Sequence, residues 1–250
     1  MSKLILATRQ INCDVFEHDF KNLEQSPCFK LKQGHHQKVF YIHTNEFRSY
    51  LEVLDELLLI NHAVPLQLYM ALTQFFYAFS KENNVDVSNY VFQFRIQADY
   101  VMHHEWFMPA ELHCDVSNYT VVCPLSDTGH VDRYGLLLGE RDPSQPQQND
   151  GPFKIENLPK DMDDVQYQKN KALIFQNREK NTVKNYHQAQ LCRAVQKGMV
   201  RPQAILFCKH KRTRIYKYGH KHFFNPLSPY EPVIMNGGSY YWVWDVLHRR

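Results

Sequence analysis

The hydrophobic period of this chain changes near residue 90, and that change constrains the fold more than any other feature. Over residues 45–80, "NEFRSYLEVLDELLLINHAVPLQLYMALTQFFYAFS", apolar side chains recur at helical spacing, first Tyr50, Leu54, Leu57 and Leu58, then Leu68, Leu72, Phe75, Phe76 and Phe79. Two helices are predicted. Pro65, after the polar break at "INH", suits the first turn of the second helix, where the donor it lacks would be unpaired anyway. From Tyr90 the period is two: Tyr90, Phe92, Phe94 and Ile96 alternate with Gln93, Arg95 and Gln97, the pattern of a half-buried strand.

Short β-rich runs follow at "YTVVCPL" (119–125), "YGLLLGE" (134–140), "KALIFQ" (171–176), "QAILFCK" (203–209) and "TRIYKY" (213–218), separated by turn residues. Helices first and strands afterwards predict an α+β fold in which the helices brace a sandwich or barrel. Residues 141–166, rich in Pro, Asp and Gln, are long for a plain connection and read as a lid or binding loop. A domain boundary there would leave apolar strand faces exposed on both sides. One domain is therefore expected over 1–250, with helical support at about 45–82, a β core at about 90–218 and an aromatic tail at 219–250.

Composition narrows the setting. With 44% apolar residues in 250 the chain can bury a core of ordinary size, and a formal charge of +3 is well short of a dedicated nucleic-acid binder. Six dispersed cysteines form no C-x-x-C pair, and the amino terminus lacks a secretory pattern, so a reduced, cytoplasmic setting is expected. No apolar stretch reaches the ~20 residues that span a bilayer, so no membrane segment is expected. The basic run at 209–224, "KHKRTRIYKYGHKHFF", interleaves cations with Tyr216, Tyr218, Phe223 and Phe224. Such a run either stacks on a nucleic-acid strand or guards an edge strand with lysines, and the second reading is preferred.

The chemistry concentrates in "ELHCDVSNYTVVCPLSDTG", residues 111–129. Read as a strand, His113 and Asp115 project from one face while Cys114 points away. An imidazole and a carboxylate suit Fe(II), Mn(II) or Zn(II), and a third ligand would complete a facial triad with open positions. Downstream, His187 follows an apolar strand and Arg201 heads the next, where its planar fork suits a carboxylate. Glu111 with His113 is a competing metal pair, and His103, His104 and Glu105 form a second polar knot nearby.

The order His-x-Asp, distal His, then Arg on the following strand resembles the Fe(II)/2-oxoglutarate-dependent oxygenases over roughly residues 90–210. The resemblance implies a double-stranded β-helix, or jelly-roll, core with amino-terminal supporting helices. It implies iron ligands His113, Asp115 and His187, with Arg201 pairing the distal carboxylate of 2-oxoglutarate, Arg193 as its competitor, and Tyr100 helping to hold the cosubstrate. The implied reaction couples decarboxylation of 2-oxoglutarate by O2 to substrate oxidation, with hydroxylation the default. The substrate, whether small molecule, peptide or nucleobase, is left open. Two other classes stand beside it: a non-catalytic jelly-roll binding module contacting nucleic acid through 209–224, and a zinc-assisted hydrolase using His113, Asp115 and a nearby Glu.

Overall fold

A computed structural model describes residues 4–12, 30–33, 37–44, 46–60, 63–101, 107–108, 115, 117–126, 131–141, 163–177, 185–194, 200–212, 232–235 and 239–242. The order of elements departs from helices-first. Three strands come before them: β1 (Ile5–Gln10), β2 (Lys30–Gln33) and β3 (Gln37–His43). Helices α1 (Tyr50–Leu59) and α2 (Ala63–Glu82) follow. The strands then run β4 (Tyr90–Val101), β5 (Phe107–Met108), β6 (Tyr119–Pro124), β7 (Val131–Arg141), β8 (Asp163–Gln166), β9 (Lys171–Gln176), β10 (Asn185–Ala194) and β11 (Val200–His210), with a hairpin of β12 (Pro232–Met235) and β13 (Ser239–Trp242). The expected loop at 141–166 is shorter than its sequence suggests, because Arg141 still belongs to β7 and Asp163–Gln166 forms β8.

Two antiparallel sheets hold β1 to β11, one of seven in the order β1-β9-β6-β11-β4-β3-β2 and one of four in the order β5-β10-β7-β8. From β4 to β11 the chain crosses from one sheet to the other at every connection except the β7–β8 pair. That alternation interleaves β4-β11-β6-β9 with β5-β10-β7-β8, which is the strand order of a jelly roll. The early strands only widen the large sheet at its two edges. Gly135 shows how closely β7 and β8 pack: a Cβ at that position would run into the Val165 carbonyl.

Local chemistry explains the helices. Ser49 caps α1 in a reciprocal box, its hydroxyl accepting from the Glu52 N–H while the Glu52 carboxylate accepts from the Ser49 N–H at 2.9 Å. The apolar stripe of α2, Leu68, Leu72, Phe75, Phe76 and Phe79, is buried as its spacing predicts. In α1 the stripe differs: Val53 and Leu57 are buried, whereas Leu58 is 53% exposed. The helix is only ten residues long and turns one narrow face to the sheet, so two adjacent leucines cannot both reach it.

The helices cover one face of the large sheet. Phe76 lies at the centre, its ring 5.4–6.0 Å from those of Tyr90, Phe92 and Tyr119. Phe94, Ile96, Val121, Ile174 and Leu206 complete this cluster from the strands. A second, smaller cluster lies between the sheets and includes Val122, Leu136, Leu138, Tyr167, Leu173 and Phe175. Successive residues of one strand therefore serve two different cores. Among the described residues no helix is long and apolar enough to cross a membrane.

Candidate functional site

Between the two sheets lies a cavity of about 230 Å³. Its floor is the inner face of the large sheet: Arg95 and Gln97 from β4, Thr120 from β6, and Gln203, Ile205 and Phe207 from β11. Leu136 of β7 and the buried Tyr167 close it from the other side. Asp115 also lines it, half-buried, in the segment that leads into β6. Asp115 lies outside any strand, so the two-residue alternation expected of His113 and Asp115 does not apply at that position.

The Asp115 carboxylate is held by a buried hydrogen-bond relay. Asn177, just past β9, donates from its amide nitrogen to Ser117 Oγ at 3.0 Å and to Thr120 Oγ1 at 2.8 Å, which uses both of its hydrogens. The Thr120 hydroxyl donates to Asp115 Oδ2 at 2.9 Å. Because that hydrogen is committed, the 3.2 Å contact between Ser117 and Thr120 is donated by Ser117. Every hydrogen in the relay points toward the carboxylate. Ser117, Thr120 and Asn177 are at most 1% exposed, so removing one member would strand its partners away from water.

The charge of Asp115 also reaches Tyr167. Burial pushes that phenol well above its ordinary range, and the neighbouring carboxylate pushes it further. Tyr167 therefore stays neutral beside the cavity.

The other expected site residues are placed by backbone register. His113 lies outside the described residues, as do most of the 141–166 segment and positions 213–224 of the basic run. His187 stands near the start of β10, opposite Gly139, with Gln188 opposite Leu138. Arg201 is the second residue of β11, opposite Asp99. Tyr100 lies near the end of β4, opposite Val200. Arg193, the competitor of Arg201, lies on β10 opposite Arg133. Of the basic run, Lys209 stacks on the Phe47 ring at 5.4 Å, and Lys211 donates to the Ser88 carbonyl at 2.9 Å.

Several site residues went unread in the sequence. Arg95 and Gln97 are the polar half of the alternation that begins at Tyr90, and Thr120 follows Asp115 by five residues. Asn177 carries no local signal, since its partner Thr120 is 57 residues away.

No family model matches the chain, and no curated protein matches it. Among solved structures it is similar to a prolyl-4-hydroxylase from Pseudomonas putida, at 11% identity over 82% of this chain and 91% of that one, with a TM-score of 0.43. It is similar to an oxidoreductase of the 2OG-Fe(II) oxygenase family from Burkholderia pseudomallei, at 12% identity over 81% and 84% of the two chains and a TM-score of 0.41. A third is dioxygenase for auxin oxidation 1 from Arabidopsis thaliana, solved with 2-oxoglutarate, at 9% identity and a TM-score of 0.44, covering 73% of this chain and 66% of that one. The jelly-roll assignment rests on the strand order, independently of these likenesses.

Proposed function

We propose that the protein is a non-haem Fe(II)/2-oxoglutarate-dependent oxygenase of the hydroxylase type. The observation that carries this reading is the Asp115 carboxylate, aimed into the cavity of a jelly roll from the β5–β6 connection and held there by the Thr120 relay. A carboxylate whose orientation is fixed by a buried donor, at the edge of a cavity, is the arrangement expected of a metal ligand. The proposed partners are His113 and His187. β5 runs antiparallel to β10 with Met108 opposite Cys192, so the chain leaves β5 toward the His187 end of β10. His113 comes five residues after Met108, as His187 comes five before Cys192.

Two imidazoles and a carboxylate are a donor set that suits a small divalent ion. Iron(II) with 2-oxoglutarate and O2 would supply the oxidising chemistry, yielding succinate, CO2 and an oxygenated substrate. The chain's own part is to orient and to shield. Thr120 fixes one carboxylate oxygen of Asp115, Val122, Leu136 and Phe175 supply apolar walls to the cavity, and Arg201 would pair the distal carboxylate of an acidic cosubstrate. The helices pack on the outer face of the sheet whose inner face floors the cavity.

A second reading is a non-catalytic jelly-roll module that binds a small ligand in the same cavity, whose polar lining of Arg95, Gln97 and Gln203 needs no metal to hold one. Anaerobic addition of Fe(II) and then 2-oxoglutarate decides between them. The oxygenase gives a weak visible charge-transfer band that His113→Ala, Asp115→Ala and His187→Ala each abolish. A wild-type protein without the band, or a band that survives His187→Ala, rejects the triad.

A further inference from the structure

Asn118 stands one residue before β6, is 1% exposed, and bonds to both of the strands that flank β6 in the large sheet. Its backbone N–H donates to the Cys208 carbonyl of β11 at 2.9 Å, and its carbonyl accepts from the Asn177 N–H, just past β9, at 2.8 Å. Its side chain adds a third bond, in which Oδ1 accepts from the His210 N–H at 2.8 Å. His210 ends β11, two residues past Cys208, which pairs with the first residue of β6, Tyr119. Its N–H is therefore met by an amide side chain beyond the first rung of β6. His210 is only 4% exposed, and a buried N–H left without an acceptor is costly.

The end of β11 is itself braced. The His210 ring lies edge-on to Tyr90, with centroids 5.3 Å apart, and its Nδ1 accepts from the Arg212 N–H at 3.1 Å. Lys211 donates from its backbone to the Asn89 carbonyl at 2.8 Å and from Nζ to the Ser88 carbonyl at 2.9 Å. Asn118 is thus tied to a fixed point. Asp115 lies three residues before it in the chain. Asn177 bonds to Ser117 and Thr120 through its side chain and to Asn118 through its backbone, so the relay and the clamp share one residue. A hydrogen bond weakens steeply away from its best distance and angle. The hold of Thr120 on Asp115 therefore depends on the path the chain takes from 118 back to 115.

We infer that Asn118 is a positioning residue: by clamping the segment before β6 to the end of β11, it sets where the Asp115 carboxylate points. The inference rests on the proposed reading of Asp115 as a metal ligand. Thr120 and Asn177 fix the carboxylate through its oxygen, whereas Asn118 fixes the chain that carries it, through a donor 92 residues away. Asn118 does not itself line the cavity, so its effect on a bound ion passes through Asp115.

Two readouts on metal-free protein test this: hydrogen exchange at the His210 amide, and Mn(II) affinity from the paramagnetic resonance of the free ion. Asn118→Leu, close in shape but without an acceptor, should speed exchange at His210 and weaken Mn(II) binding about 10-fold, the lower end of the loss when a group that orients a ligand is removed. Asn118→Ala leaves room for water at the His210 N–H, so it should unfold less readily than Asn118→Leu yet lose the same affinity, and it serves if Asn118→Leu does not fold. Asn118→Asp keeps the oxygen and should regain both slow exchange and affinity. Phe76→Ala, corrected for its folded fraction, should bind Mn(II) as the wild type does, which separates positioning from a general loss of stability. If Asn118→Leu and Asn118→Ala free the His210 amide yet bind Mn(II) normally, while Asp115→Ala does not bind, Asp115 stands as a ligand and the role of Asn118 is overturned. A wild type whose His210 amide exchanges as fast as an open chain overturns it too. So does affinity regained in Asn118→Asp without slow exchange, since added negative charge would then be what attracts the ion. Mn(II) binding that is absent from the wild type, or that survives Asp115→Ala, rejects Asp115 as a ligand and the positioning role with it.

Discussion

On its outer face the large sheet presents Phe92, Phe94, Ile96, Val121 and Leu206 to the helices, while on its inner face the same strands present Gln97, Arg95, Thr120 and Gln203 to a cavity. Neighbouring residues of one strand thus meet opposite conditions. The outer face is packed with rings, the Phe76 ring lying 5.4–6.0 Å from three of them. The inner face keeps polar groups and space at the cost of apolar burial. The two faces divide the work of one sheet: the helix-covered face packs the core, and the same strands carry Arg95 and Thr120 to the cavity.

The largest expected effect comes from breaking the outer face alone. Phe76→Ala removes a fully buried ring from the centre of the aromatic cluster and should cost about 3–5 kcal/mol of unfolding free energy, read from chemical denaturation. Divalent-metal binding by the fraction that remains folded should be unchanged. If Phe76→Ala leaves stability intact, or if it destroys binding in protein that is still folded, the division between the two faces is wrong.

A smaller effect is expected from the inner face. Thr120→Val keeps the shape of the side chain but leaves the Asn177 amide and one Asp115 oxygen without the hydroxyl between them. Stranding buried donors costs about 1–3 kcal/mol. Unlike Phe76→Ala, the change should also weaken divalent-metal binding by about 10- to 100-fold, the usual penalty for losing the group that orients a ligand. Thr120→Ser restores the hydroxyl and should restore both properties. A Thr120→Val protein that is destabilised but binds Mn(II) normally would show the relay to be structural.

The same contrast explains what was legible in the chain. The stripe of α2 and the β9 run "KALIFQ" could be read because each buries an uninterrupted apolar pattern. The alternation at 90–97 was read correctly as a strand, yet its polar half looked like a solvent face and in fact lines the cavity. Period two shows that the two faces of a strand differ, but not which of them meets water. The strands β1 to β3 were missed because they gain their burial from sheet edges that form only with β9 and β4, far along the chain. Asp115 was found through its neighbour His113, whereas its support from Asn177 exists only after β6 and β9 pair. Arg201 was chosen from its place before a strand, and only the ladder revealed Asp99 across from it.

The smallest expected effect sharpens the outer face, and its sign follows from burial. Tyr69 is fully buried under the sheet, its hydroxyl donating to the Tyr50 carbonyl at 3.1 Å. Burial, and then the neighbouring phenols of Tyr77 and Tyr50, raise its pKa far above the ordinary tyrosine value of about 10. Below pH ~10 both folded and unfolded chains keep this proton, so its contribution to stability is complete. Above that pH the unfolded chain releases the proton while the folded chain retains it, and stability falls by up to about 1.4 kcal/mol per pH unit for each such group. Tyr90 is raised in the same direction by the same cause and adds to the slope. Tyr69→Phe should lower stability near neutral pH by about 1 kcal/mol for the lost hydrogen bond, yet flatten the alkaline decline between pH 10 and 11. Denaturation curves at those two pH values measure the slope directly. If it is the same with and without the Tyr69 hydroxyl, water reaches this side chain and the outer face is less sealed than its packing indicates.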